Sequence, residues 1–182
     1  MDLYAETGNL TMLPEITTER LLLRAVRPED SAAVTAVMND FEVSKWLAVV
    51  PYPYTQEDAD WFGKEVQEGN FTAWYIWHGR DLVGSVGLDE GSLGYWIARG
   101  AWGMGFATEA SRAVVDYYFA TFAADCLVSS YFVGNTGSCN VLTKLGFRDV
   151  GAKASHSVAR GCDVDARAMQ LTRAEWQARR NG

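Results

Sequence analysis

Between Leu93 and Ala110 the chain runs Leu-Gly-Tyr-Trp-Ile-Ala-Arg-Gly-Ala-Trp-Gly-Met-Gly-Phe-Ala-Thr-Glu-Ala, and these residue types at this spacing suit a phosphate. Residues 93–98 carry no charge, as a buried strand requires. Gly100, Gly103 and Gly105 follow, and a helical apolar period begins at Phe106. Glycines let backbone amides turn inward with no Cβ in the way, and the unpaired N–H groups and dipole of a helix start favour an anion. Other candidates for chemistry lie on either side. Asp89 and Glu90 precede the strand and are candidate proton acceptors, while Ser138, early in a later helix, offers a hydroxyl. Tyr52 and Tyr54 flank Pro53 on a stiff loop, either as the wall of a substrate pocket or as packing for the helix that follows.

Three antiparallel strands feed the glycine loop. Residues 71–77 and 82–88 alternate or run apolar on either side of His78-Gly79-Arg80-Asp81, which reads as a hairpin turn, and 93–98 follows through Asp89-Glu90-Gly91-Ser92. After the loop Ala107, Ala110, Val114, Tyr117 and Tyr118 recur at steps of three and four along one buried helix face. Residues 126–133 are a β-rich run, 135–145 a helix stopped by Gly146, and 147–150 the start of another strand. The polar stretch 151–163 is a loop or bulged hairpin before a last strand at 166–171 and a short helix at 174–179. Upstream, a strand over 20–25 leads into a helix started by Pro28, Glu29 and Asp30 and buried through Ala33, Val34, Val37 and Met38. A second short helix is expected around 41–47. Thr55 and Asp58 form a capping box for the helix 57–67. Residues 1–19 have little period and read as a loosely held arm. The order of elements is that of an α/β (α+β) protein with one domain over 1–182.

Composition narrows the function. A chain of 182 residues buries about two thirds of its unfolded surface and needs no disulfide staple. Cys126, Cys139 and Cys162 are odd in number and lack CxxC or His-paired spacing, so reduced thiols and no metal are expected. The formal charge of −7 argues against nucleic acid as the main partner and suits a basic or amine substrate. No apolar run approaches a membrane span, and the N-terminus lacks the basic and apolar regions of a signal peptide; a cytoplasmic monomer or homodimer is expected.

Two cofactors compete for the loop. Gly103-Met104-Gly105-Phe106-Ala107-Thr108 nearly fits the GxGxxG of dinucleotide folds, with Asp125 about 20 residues on. The third glycine is Thr108, however, Asp125 precedes the next strand, and the strands before the loop form an antiparallel meander. A coenzyme A pyrophosphate instead needs a loop that starts a helix beside an exposed strand edge. Trp102-Gly103-Met104-Gly105-Phe106-Ala107-Thr108-Glu109-Ala110 resembles the WGxGxATEA signature of GNAT acetyltransferases, in the RimJ/RimL-like branch of ribosomal-protein N-terminal acetyltransferases. Asn135-Thr136-Gly137-Ser138 followed by Lys144-Leu145-Gly146-Phe147 resembles that branch's NxxS…KLGF segment, and Pro53-Tyr54-Thr55-Gln56-Glu57-Asp58-Ala59 its PYTxEDA loop. The similarity runs from Glu19 to Trp176.

The resemblance implies a mixed, mostly antiparallel sheet of about seven strands flanked by helices, splayed as a V between 93–98 and 127–133. Acetyl-CoA would lie in the V as cosubstrate, with no metal. Backbone groups of Trp96, Ile97 and Ala98 would hold the pantetheine, aided by Asn135. Amides of Trp102, Gly103, Met104, Gly105, Phe106 and Ala107 and the Thr108 hydroxyl would take the pyrophosphate. An N–H near Ile97 would hydrogen-bond the thioester carbonyl. The family pattern is broken twice: Gly100 stands where a Gln or Arg is usual, with Arg99 one place early, and Leu142 replaces a proton-donating tyrosine. Ser138 is the matching alternative, either as general acid toward the thiolate or as a helix cap. Neither His78 nor His156 takes a catalytic role. The implied reaction is direct acetyl transfer to a primary amine, on a protein N-terminus or a small molecule. The alternatives are a non-catalytic CoA-binding module and an NAD-type oxidoreductase.

Overall fold

The computed structural model describes residues 13–180. Its strands are β1 (Ile16–Thr17), β2 (Leu22–Ala25), β3 (Thr72–His78), β4 (Asp81–Asp89), β5 (Ser92–Ile97), β6 (Cys126–Phe132), β7 (Arg148–Ser157) and β8 (Cys162–Thr172). The helices are α1 (Ser31–Met38), α2 (Phe41–Ser44), α3 (Gln56–Gln67), α4 (Phe106–Thr121), α5 (Thr136–Leu145) and α6 (Arg173–Arg180). One sheet holds all the strands in the order β1-β2-β3-β4-β5-β6-β8-β7, antiparallel at every junction except β5–β6.

Side-chain alternation sets the layers. Along β3, Trp74 and Ile76 join a core with Phe106, Ala110 and Val114 of α4 and Leu142 and Leu145 of α5. Ala73 and Tyr75 face the other way, into a core with Val34 and Met38 of α1 and Ala59 and Val66 of α3. A strand buried on both faces needs a helical layer on each, and the near-continuous apolar run of β3 supplies both. Thr55 starts α3 as expected. Its hydroxyl accepts from the Asp58 amide, and the Asp58 carboxylate accepts from the Thr55 amide.

One expectation changes. Part of the stretch 1–19 is pinned: Ile16 and Thr17 pair with Leu23 and Leu22, and the Trp74 indole donates to the Pro14 carbonyl at 2.8 Å, which brings the sheet to eight strands among the described residues. Residues 1–12 of that arm lie outside the described residues. Of the two readings of the stretch 151–163, the bulged hairpin is the one found: β7 and β8 continue through it with a bulge between Asp149 and Gly151.

The far ends of the helices are fixed by arginines. Arg173 donates to the carbonyls of Phe119, Phe122 and Ala124 and so satisfies the orphan acceptors where α4 ends. Arg24 in β2 holds Asp30, just before α1, by two bonds of 2.8 and 2.7 Å, and Asp30 also accepts from the Arg27 amide. The Asp30 carboxylate is almost wholly buried, and its hydrogen bond raises the Arg24 guanidinium above its ordinary value. Removing one partner leaves a buried charge unpaired. Asp30→Ala is therefore expected to cost about 3 kcal/mol in urea unfolding; a loss below about 1 kcal/mol would show that the pair is solvated.

Candidate active site

β5 and β6 are neighbours for one register pair only, Ser92 with Val128. There the Val128 amide donates to Gly91, and the Ser129 hydroxyl donates to the Leu93 carbonyl. Beyond Leu93 the strands part. On β5 the Ala98 amide donates to Val83 of β4, which makes Trp96 and Ala98 the residues whose backbone groups face β4. The groups of Tyr95 and Ile97 therefore face the slot. The Ile97 carbonyl is taken by the Trp102 indole at 2.7 Å, which leaves its N–H facing the slot. Of the three residues expected to hold the pantetheine, Ile97 is the one whose backbone points that way.

At the open end of the slot stand the glycine loop and α4. Gly103 (φ 77°) and Gly105 (φ 81°) are left-handed, the region only glycine enters readily, and no side chain caps the helix start at Gly105. The Trp102 amide is spent on the Arg99 carbonyl, so of the amides expected to hold a pyrophosphate those from Gly103 onward stand around a helix N-terminus whose first-turn N–H groups have no helical partner. Arg99 leans on Asp40 at 3.8 Å, away from a phosphate grip.

α5 closes the opposite side. Asn135 is its cap, its side-chain oxygen accepting from the Ser138 amide at 3.0 Å, so Ser138 is not the cap. The Ser138 hydroxyl instead shares a 2.9 Å hydrogen bond with the Tyr95 hydroxyl, joining the two sides of the slot. Burial pushes the Tyr95 phenol up to about 12, although the Ser138 bond pulls the other way. Leu142, where the wider family has its tyrosine, is fully buried in the core.

The second face of the slot is bridged by α2 and its flanks. Asp40, the cap of α2, meets Arg99 beyond the end of β5. Trp46, past the other end of α2, lies against Gly134, just beyond β6. The β7–β8 hairpin tip locks this bridge: Val158 donates to Ala48, Arg160 donates to Lys45, and the Arg160 guanidinium stacks on Trp46 and Phe132. Tyr52 packs on Phe41 of α2 with ring centres 5.1 Å apart and stays 44% exposed. Tyr54 is buried in the core beneath, and that burial pushes its phenol up to about 12. Asp89 and Glu90 sit in the β4–β5 turn, at the closed end of the V, so the six residues of β5 separate them from the glycine loop. His78 stacks on Phe106, and His156 pairs with Asp163 on the exposed hairpin.

A model of the GNAT acetyltransferase domain matches residues 20–148. The chain belongs to the GNAT acetyltransferase family. It is an N-acetyltransferase that uses acetyl-CoA as its acetyl donor. An uncharacterised N-acetyltransferase, p20, from Bacillus licheniformis is 26% identical, with 87% of this chain and 96% of p20 covered. A GNAT acetyltransferase from Bacillus anthracis has the same fold, with a TM-score of 0.76 at 22% identity over 89% of this chain and 100% of that one. A RimL ribosomal L7/L12 α-N-protein acetyltransferase, solved in complex with coenzyme A, gives a TM-score of 0.75 at 18% identity over 87% of this chain and 98% of that one.

Sequence reasoning passed over Arg20 and Glu109. Glu109 accepts from the Thr18 hydroxyl at 2.6 Å and from the Arg20 amide and Nε at 2.9 and 2.7 Å. The acid in the ATEA run was its only signal. Burial alone would raise the Glu109 carboxyl, but the bonds from Thr18 and Arg20 outweigh it and hold the group below its ordinary value. A carboxyl depressed on folding stabilises the native state above its unfolded pKa and loses that contribution as the pH falls through its folded pKa. Wild-type stability is therefore expected to decline more steeply than that of Glu109→Gln once the pH drops below about 4.3. Parallel acid limbs in urea titrations of the two proteins would contradict this.

Proposed function

We propose that acetyl-CoA lies along the slot between β5 and β6, and that a primary amine enters from the face bridged by α2 and the β7–β8 hairpin. One observation carries the reading: an uncapped helix start with two left-handed glycines stands at the open end of a parted strand pair. This arrangement fits a ligand with an extended amide-bearing arm and an anionic group at its end.

When bound, acetyl-CoA supplies the activated thioester carbonyl. The chain's own residues divide the remaining tasks. Amides of the 103–108 loop and the Thr108 hydroxyl bind the pyrophosphate. The Ile97 N–H is the donor for an oxygen on which negative charge grows. Asn135 spends its side-chain oxygen on α5, which leaves its amide nitrogen as the group to donate to the pantetheine. Ser138 holds the proton for the departing sulfur, and Tyr95, protonated at neutral pH, orients that hydroxyl. The amine must arrive unprotonated. Asp89 and Glu90 are too far toward the closed end to serve it.

For the acceptor, the aromatic bridge around Trp46 and Tyr52 favours a peptide N-terminus or a small organic amine over a nucleic acid, in line with the net charge of −7. Acetyl-CoA is expected to raise Tm while NAD does not, and Gly105→Val to lose the shift. A shift by NAD alone would overturn the reading, and a shift without thiol release across a broad amine panel would leave a CoA-binding module. Once an acceptor is found, Ser138→Ala is expected to lower kcat about 100-fold with acetyl-CoA affinity within about twofold. An unchanged kcat would remove Ser138 from the proton path.

A further inference from the structure

The Met104–Gly105 peptide lies at the centre of the glycine loop, and its orientation is set from outside the loop. Arg20, in the turn between β1 and β2, donates from Nη1 to the Met104 carbonyl at 2.9 Å. In a trans peptide the N–H of the next residue points opposite to the carbonyl. With the Met104 oxygen drawn to Arg20, the Gly105 N–H faces away from it, out of the loop. The same guanidinium pairs with Glu109 at 2.6 Å, and its Cζ lies over the Phe106 ring, 4.8 Å from the ring centre. Glu109 is the acidic residue of the first turn of α4. Left alone, its carboxylate would compete for the helix-start N–H groups and repel any anion placed there. Arg20 and Thr18 hold it down by its side-chain oxygens instead.

We infer that Arg20 is a positioning residue for pyrophosphate recognition: it fixes the direction of the Gly105 N–H and neutralises Glu109 at the helix start. This rests on the cofactor placement proposed above. It also accounts for a missing part of the family pattern. Gly100 stands where the loop's own Gln or Arg is usual, and Arg99 turns to Asp40, so the cation that organises this loop comes from Arg20 in the turn between β1 and β2. Arg20 acts through the loop, not on the reacting atoms, and its effect belongs to the anionic end of the ligand. Because the side chain is 42% exposed, its loss should cost little folding stability.

The test compares two ligands that differ in that end, coenzyme A and pantetheine, titrated against the intact protein by tryptophan fluorescence, with Trp96 and Trp102 as reporters. Wild type is measured first, and failure to bind coenzyme A would overturn the cofactor placement itself, before any variant is made. In Arg20→Met, which removes the guanidinium and keeps an unbranched side chain, the Kd for coenzyme A is expected to rise at least about tenfold while that for pantetheine stays within about twofold. Arg20→Lys retains the charge beside Glu109 but cannot also hold the Met104 carbonyl, so it should fall between the two. In the double variant R20M/E109Q part of the lost affinity should return, because the unpaired carboxylate is gone. Equal losses for both ligands would mean a general distortion, and no loss for either would mean that the loop holds its shape unaided; each result overturns the inference. If Arg20→Met fails to fold, Arg20→Lys carries the test alone, and a selective loss of about threefold for coenzyme A is the result expected of it.

Discussion

Neighbouring strands in a sheet normally exchange hydrogen bonds along their whole length, because an unpaired backbone group away from water costs about as much as a lost hydrogen bond. β5 and β6 share one register pair and then separate. The gap leaves a row of backbone donors and acceptors facing a slot. Such an opening persists only if both of its walls are held by something else. β5 is held by its ladder with β4 and by the Trp102 indole on Ile97, and β6 by its full ladder with β8. Across the gap itself stand the Tyr95 phenol, bonded to the hydroxyl and the carbonyl of Ser138, and the bridge built around α2.

The two faces of the gap are built from different materials. On the α4 side the groups on offer are main-chain ones, turned by glycines and aimed by two side chains, Trp102 at the end of β5 and Arg20 at Met104. On the α2 side the wall is made of side chains, with Trp46, Phe132 and Arg160 stacked and tied by the hairpin tip. A backbone cradle depends on a few residues of fixed type and is indifferent to most others. A side-chain wall changes with every substitution. Such a division suits a protein whose donor is constant and whose acceptor is a matter of specificity.

What was legible in the sequence were features with a local physical demand. Positive φ at 103 and 105 calls for glycine, the Thr55–Asp58 box fixes the start of α3, and alternation along β3 declares a strand buried on both faces. Less legible were contacts between distant segments. Arg20 and Glu109 are 89 positions apart, and Tyr95 and Ser138 43, and no periodicity links them. Asp89 and Glu90 show a different limit. They neighbour the cofactor strand in sequence, yet the loop lies at one end of β5 and their turn at the other, roughly 17 Å away along an extended chain. Adjacency in sequence placed them beside the strand without saying beside which end.

Ser138 shows how local and tertiary information combine. Its position near a helix start makes a cap and a proton donor equally plausible from type alone, since a serine hydroxyl serves both. The structure separates them through Asn135, which takes the capping bond and leaves the serine side chain for the slot. Tyr95 then supplies a phenol from the strand while position 142 of the helix carries a buried leucine. A phenol raised to about 12 does not ionise at neutral pH, so between these two hydroxyls the proton has no resting place other than the oxygens themselves. With acetyl-CoA placed in the slot as proposed, the pair would hold a proton ready without storing charge beside the thioester. That is the condition a departing thiolate sets: a donor within reach that bears no charge before the bond breaks.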